Sequence, residues 1–154
     1  MFLHNMNGGE VPQIALVSYD SGIEGLATSE SVKDKIRGFK ELGYQVTLVT
    51  SAASSLESGE DLRVIKIRSL SKSDGLYESS QSGKSSTFLP FFFGILGHLF
   101  DFTFRALAGS RSDGRWSWAI TALPKLIPLL ARNNFKHILA TGGPSAAHLA
   151  TAVA

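Results

Sequence analysis

Apolar and polar positions along this chain switch repeatedly between two periods. Gln13-Ile14-Ala15-Leu16-Val17-Ser18 is a continuous apolar run between polar residues, the pattern of a strand covered on both faces. A glycine-containing loop, Tyr19 to Gly25, follows it. Val32, Ile36, Phe39 and Leu42 then recur at helical spacing, with Thr28, Ser29 and Ser31 as cap candidates and Gly43 as the stop. Gln45 to Thr50 is rich in β-branched residues and predicts a second strand. A strand, helix and strand joined this way predict a right-handed parallel crossover.

Further along, Leu62 to Ile67 alternates well enough for a third, more exposed strand. Residues 69–87 are rich in Ser, Gly, Lys and Asp and predict a mobile loop. The aromatic segment 88–107 reads as helix up to Gly109, and Ser110 to Gly114 form a second polar break. Trp116, Ile120, Leu123, Ile127 and Leu130 keep alternating four-three helical spacing. Pro124 and Pro128 fall inside that pattern, and each removes a backbone donor. A kinked helix and a helix beginning near Pro124 both accommodate them. An apolar strand from Lys136 to Ala140, the turn Gly142-Gly143-Pro144 and a final helix follow. The pattern therefore predicts a tail over 1–12 and one α/β domain over 13–154, incomplete at its C-terminal side.

Composition narrows the function classes. With 154 residues the chain is long enough for one substantial core. A formal net charge of +2 without a Lys/Arg block argues against nucleic acid as a partner. The absence of cysteine excludes disulfides and thiolate metal sites and fits a cytoplasmic protein, as does the absence of a signal-peptide pattern in Met1 to Glu10. In the aromatic segment His98, Asp101 and Arg105 interrupt the apolar run before it reaches the roughly 20 residues a membrane span needs. A buried helix and an in-plane membrane contact both fit it.

Two loops carry the candidate chemistry. The first holds Ser21, Gly22 and Gly25 after the first strand. It lacks a G-x-G-x-x-G fingerprint and no acidic residue ends the second strand, so a dinucleotide site is not indicated. No P-loop is present either; Gly83-Lys84-Ser85 lies in a low-complexity stretch with no strand before it. The first loop thus serves as a tight strand–helix connection or lets backbone approach a ligand. The second is Thr141-Gly142-Gly143-Pro144-Ser145, where N–H groups at a helix N-terminus suit anions or sugar hydroxyls. His4, His98, His137 and His148 show no metal-ligand spacing, so no metal or cofactor is expected. Asp20 and Glu24 are acid/base candidates by position alone. No G-x-S-x-G occurs.

Three stretches together resemble the N-terminal domain of family 4-type, GT-B fold glycosyltransferases. Ile14 to Gly25 is similar to that family's first strand and glycine turn. Lys40 to Thr50 is similar to its helix, Gly-His-x-Val and strand pattern, with Tyr44 in the place of the usual His. Trp116 to Leu149 resembles its helix, apolar strand and small-residue turn before a helix.

The resemblance implies a Rossmann-like parallel sheet with flanking helices, the N-terminal half of a GT-B architecture. It implies an enzyme that moves a sugar from a nucleotide sugar to a hydroxyl or lipid-linked acceptor in cell-surface polysaccharide or glycolipid synthesis. A C-terminal Rossmann-like domain, expected in the full-length protein, would grip the donor through a Glu-x₇-Glu motif, leaving these residues inactive alone. Ser21, Gly22 and Gly25 match first-loop positions near donor phosphates and acceptor, and Thr141, Gly142, Gly143, Pro144 and Ser145 match the acceptor-side loop. Many members have a histidine where this chain has Thr141, so no catalytic base is assigned. Phe91, Phe92, Phe93, Phe100 and Phe104 are the expected peripheral contacts at the inner face of the membrane. A non-catalytic membrane- or partner-binding subunit and an unrelated Rossmann-like nucleotide-binding enzyme are the alternative readings.

Overall fold

Among the described residues four strands make one parallel sheet: β1 (Gln13–Val17), β2 (Gln45–Ser51), β3 (Leu62–Ile67) and β4 (Phe135–Ala140), in the order β3-β2-β1-β4. Four helices among the described residues flank it: α1 (Ala27–Glu41), α2 (Phe88–Leu107), α3 (Trp116–Arg132) and α4 (Ser145–Val153). The computed structural model describes residues 11–23, 25–69, 88–107, 116–141 and 145–154. The tail over 1–10 and most of the expected mobile loop, residues 70–87, lie outside the described residues.

Strand side chains alternate between two cores. Leu16, Val46 and Leu48 meet Val32 and Ile36 of α1 on one face. Val17, Tyr19, Val49 and Ile67 meet Trp118, Ala119, Ala122 and Leu126 of α3 and Ala147 and Ala150 of α4 on the other. Trp118 is fully buried: its Nε1 donates to Ile67 O at 3.2 Å, and its ring stands edge-on to Tyr19 at 5.4 Å. Burial of an aromatic ring this size is favoured by apolar area, and the hydrogen bond removes the cost of hiding the indole N–H.

The α1 boundaries differ from expectation at one end only. Gly43 ends the helix at φ 80°, with Tyr44 N–H donating to Phe39 O at 3.0 Å and Gly43 N–H to Lys40 O at 2.9 Å. That pair of bonds is a Schellman closure. At the start, Leu26 occupies the cap position without a side-chain cap, and none of Thr28, Ser29 or Ser31 fills that role. Leu42, expected on the apolar stripe, is 71% exposed because it falls at the helix end, past the sheet.

In α3 the helix runs unbroken through Pro124 and Pro128. The carbonyls that lose their donors belong to Ile120 and Pro124, both exposed, where solvent can satisfy them. Trp116 is buried, as the spacing read in the sequence expects; beyond it the buried stripe is Trp118, Ala119, Ala122 and Leu126, one step round the helix from that spacing, and Ile120 and Ile127 face outward. Small Ala119 and Ala122 let α4 approach through its own Ala147 and Ala150. β4 departs further: its four central residues are exposed, so it is an edge strand instead of the buried strand its composition suggests. No helix among the described residues is long and apolar enough to cross a membrane.

Candidate functional site

The strand order 3-2-1-4 puts a topological switch point between β1 and β4. α1 leaves β1 over one face of the sheet, and α4 leaves β4 over the other. A crevice opens between two such divergent connections, at the carboxyl ends of the strands, and α/β sheets bind ligands there. The two loops singled out in the sequence both begin at this end of the sheet, where Thr141 N–H donates to Val17 O at 2.9 Å and Ser18 N–H donates to Val49 O at 2.9 Å, extending the strand ladders.

The β1–α1 loop is held by its own hydroxyl groups. Ser21 is fully buried, its Oγ 2.5 Å from Thr50 Oγ1 and 3.2 Å from Ser18 O. Gly22 adopts φ 74° and donates its N–H to Ser29 Oγ at 2.9 Å; its carbonyl accepts from Ser55 Oγ at 2.6 Å and Ser55 N–H at 3.0 Å. A Cβ on Gly22 would collide with Ser54 Oγ and lie 2.9 Å from Leu56 Cγ. Ser21 and Gly22 are therefore fixed inside the loop and set its shape. Gly25, at φ 80° with open space around it, is the exposed member of the three and the one that backbone-hungry ligands can approach. The start of α1, whose cap residue Leu26 makes no side-chain cap hydrogen bond, follows directly on Gly25.

On the facing loop, Thr141 is half-buried and Ser145 opens α4; Gly142, Gly143 and Pro144 lie outside the described residues. Asp20 is 9% exposed in the first loop, and Glu24 lies outside the described residues. His98, His137 and His148 are exposed on three separate elements, with the His137 ring 6.3 Å from Tyr44. Among the described residues no His/Asp/Glu group could hold a metal ion.

Sequence reading passed over Ser29 and Thr50 as loop fasteners, and Ser18 and Ser51. The last two are buried at the carboxyl ends of β1 and β2, with hydroxyls that have no hydrogen-bond partner among the described residues. A hydroxyl residue closing an apolar strand was the available signal. A separate polar cleft of about 740 Å³, lined by Gln13, Gln45, Arg132, Asn133 and Lys136 among others, opens at the amino ends of the strands, away from both loops.

The expected membrane contacts sort by side. Phe100 packs against the core shared by Trp116, Trp118 and Ile67, so it serves the fold. Among the described residues of α2, the large apolar side chains Ile95, Leu96, Leu99 and Phe102 are exposed, at 53, 47, 60 and 71%. The side chains of Phe91, Phe92, Phe93 and Phe104 lie outside the described residues. Comparison of the chain with protein-family models, curated proteins and solved structures gives no match.

Proposed function

We propose that this chain is the N-terminal, acceptor-side portion of a GT-B glycosyltransferase that moves a sugar from a nucleotide sugar to a hydroxyl acceptor, in cell-surface polysaccharide or glycolipid synthesis. The observation that carries this reading is the switch point between β1 and β4, at whose carboxyl ends the β1–α1 and β4–α4 loops both begin. Sequence supports it through the three stretches that resemble that family. Gly25 and the first-turn N–H groups of α1 face the donor diphosphate, and the loop from Thr141 to Ser145 positions the acceptor.

Transfer requires that the acceptor hydroxyl lose its proton and that the departing diphosphate be stabilised. The second task falls mainly to a C-terminal Rossmann-like domain, so residues 1–154 alone are inactive. The exposed row on α2 rests against the inner face of the membrane, bringing the crevice to a lipid-linked acceptor.

The test is sugar transfer from radiolabelled nucleotide sugars to membrane-lipid extracts. Residues 1–154 should give no product, whereas the full-length polypeptide should, with a loss on Gly25→Val. Turnover by residues 1–154 would overturn the proposal. Tight nucleotide-sugar binding to residues 1–154 would instead favour an unrelated Rossmann-like enzyme.

A further inference from the structure

Three strands of the sheet begin side by side, and the cleft at their amino ends is polar. Gln13 of β1 lies level with Gln45 of β2 and Phe135 of β4. Strand alternation puts Gln13 on the face of Val17 and Gln45 on that of Val49, which is the side of α3. α3 ends at Arg132, and Asn133 and Asn134 lead directly into β4. These residues and Lys136 line the cleft of about 740 Å³, and no Asp or Glu among the described residues does.

Two cations there have no carboxylate. Neither Arg132 nor Lys136 forms an ion pair among the described residues. Lys136 meets an aromatic ring instead, its Nζ 5.7 Å from the centre of Tyr44. Tyr44 leads into β2, and β1 separates β2 from β4, so the lysine stem crosses the start of β1. A ring face holds an ammonium without neutralising it. Asn133 closes α3, its backbone N–H and Nδ2 donating to Leu129 O at 3.2 and 2.6 Å. That closure fixes the turn that carries both cations. Arg132 also offsets the carbonyl end of α3, but that role calls for neither a second cation nor an opening beside it.

We infer that this cleft binds a small polyhydroxylated ligand that bears an oxyanion, phosphate or carboxylate. Arg132 supplies the planar fork that matches an oxyanion, and Lys136 supplies a second positive charge. Gln13, Gln45 and Asn134 carry primary amides, which both donate to and accept from hydroxyl groups. A neutral ligand would leave two charges unanswered, and a bare anion would leave the amides unused. The volume falls within the roughly 300–1,000 Å³ of small-molecule sites. The five residues of β1, at about 3.3 Å each, separate this cleft from the crevice at the carboxyl ends. The inference therefore does not depend on the sugar-transfer reading.

NMR titration of the ¹⁵N-labelled protein tests it, with glucose 6-phosphate, glucuronate, glucose and inorganic phosphate as probes. Glucose 6-phosphate or glucuronate should shift the side-chain amides of Gln13, Gln45 and Asn134 with a Kd of about 1 mM or below. Whichever binds more tightly identifies the anion. Glucose and inorganic phosphate should each bind about tenfold more weakly or worse. Arg132→Gln and Lys136→Gln should each weaken binding about tenfold or more. Lys125→Gln, which removes an exposed cation of α3 outside the cleft, should leave it unchanged. All three side chains are exposed, so the fold should tolerate each replacement. No shift with either anionic sugar overturns the inference, as does equal binding of glucose or of inorganic phosphate. Equal weakening by all three replacements, the mark of general charge attraction, overturns it too.

Discussion

Ser117 donates its backbone N–H to Asp101 Oδ1 at 2.7 Å and its Oγ to Oδ2 at 2.9 Å, so a carboxylate from α2 caps the first turn of α3. Ser69, just past β3, reaches the same hydroxyl at 2.9 Å. The negative charge sits at the positive end of a helix, and both of its oxygens accept hydrogen bonds. Asp101→Ala should therefore cost about 1.5–3 kcal/mol in chemical denaturation. Asp101→Asn, which keeps an acceptor but loses the charge, should cost less. Equal losses would show that charge plays no part.

Gly22 and Gly25 have similar φ values, 74° and 80°, in different surroundings. Alanine at Gly25 meets only the left-handed backbone penalty, about 1–2 kcal/mol. At Gly22 it also collides with Ser54 and Leu56, adding about 1–3 kcal/mol of overpacking. Urea midpoints of the two variants should separate accordingly. Similar midpoints would mean that the loop shifts to relieve the contact.

Ser29 shows why the same loop is rigid. Its hydroxyl takes the N–H of Gly22, and both groups are buried. Ser29→Ala leaves that donor unsatisfied and should cost about 1–3 kcal/mol, whereas exposed Ser31, two residues further along the same helix, should tolerate alanine within about 0.5 kcal/mol. Faster exchange of the Gly22 amide in the Ser29 variant would identify the cause.

How much of this was legible depends on the signal each element carries. β1, β2 and β3 were readable because continuous or alternating apolar runs have few other solutions, and the parallel order followed from the β1–α1–β2 unit. The buried stripe of α3 was not legible. That helix is apolar on nearly every side, so period alone cannot tell Leu126, fully buried, from Ile127, 47% exposed. Neither was the role of Ser29: the sequence offers a cap-type residue, and only packing decides that its oxygen serves the loop. β4 misled for a related reason, because Ile138 and Leu139 have the composition of an inner strand and occupy an edge.

The α3 correction is itself testable. Leu126→Ala removes fully buried atoms at the junction of α3 with the sheet and should cost about 2–5 kcal/mol. Ile127→Gln should stay within about 0.5 kcal/mol. Thermal denaturation of the pair distinguishes the observed stripe from the one suggested by the spacing of Trp116, Ile120, Leu123, Ile127 and Leu130, which predicts the reverse order.

Lipid contact by α2 rests on which residues point outward. Leu99 and Phe102 are exposed, and the carboxylate of Asp101 is engaged by Ser117. Insertion of each apolar side chain into the interface is favourable by about 1.5–3 kcal/mol at full burial. Replacing both Leu99 and Phe102 with Asp should then reduce co-sedimentation with anionic vesicles about tenfold or more, with little change in Tm. Phe100→Ala should do the opposite, lowering Tm through the core it packs against while vesicle binding of the folded fraction persists. Binding that survives the double replacement would remove α2 as the lipid-contacting element and leave its exposed row unassigned to the membrane.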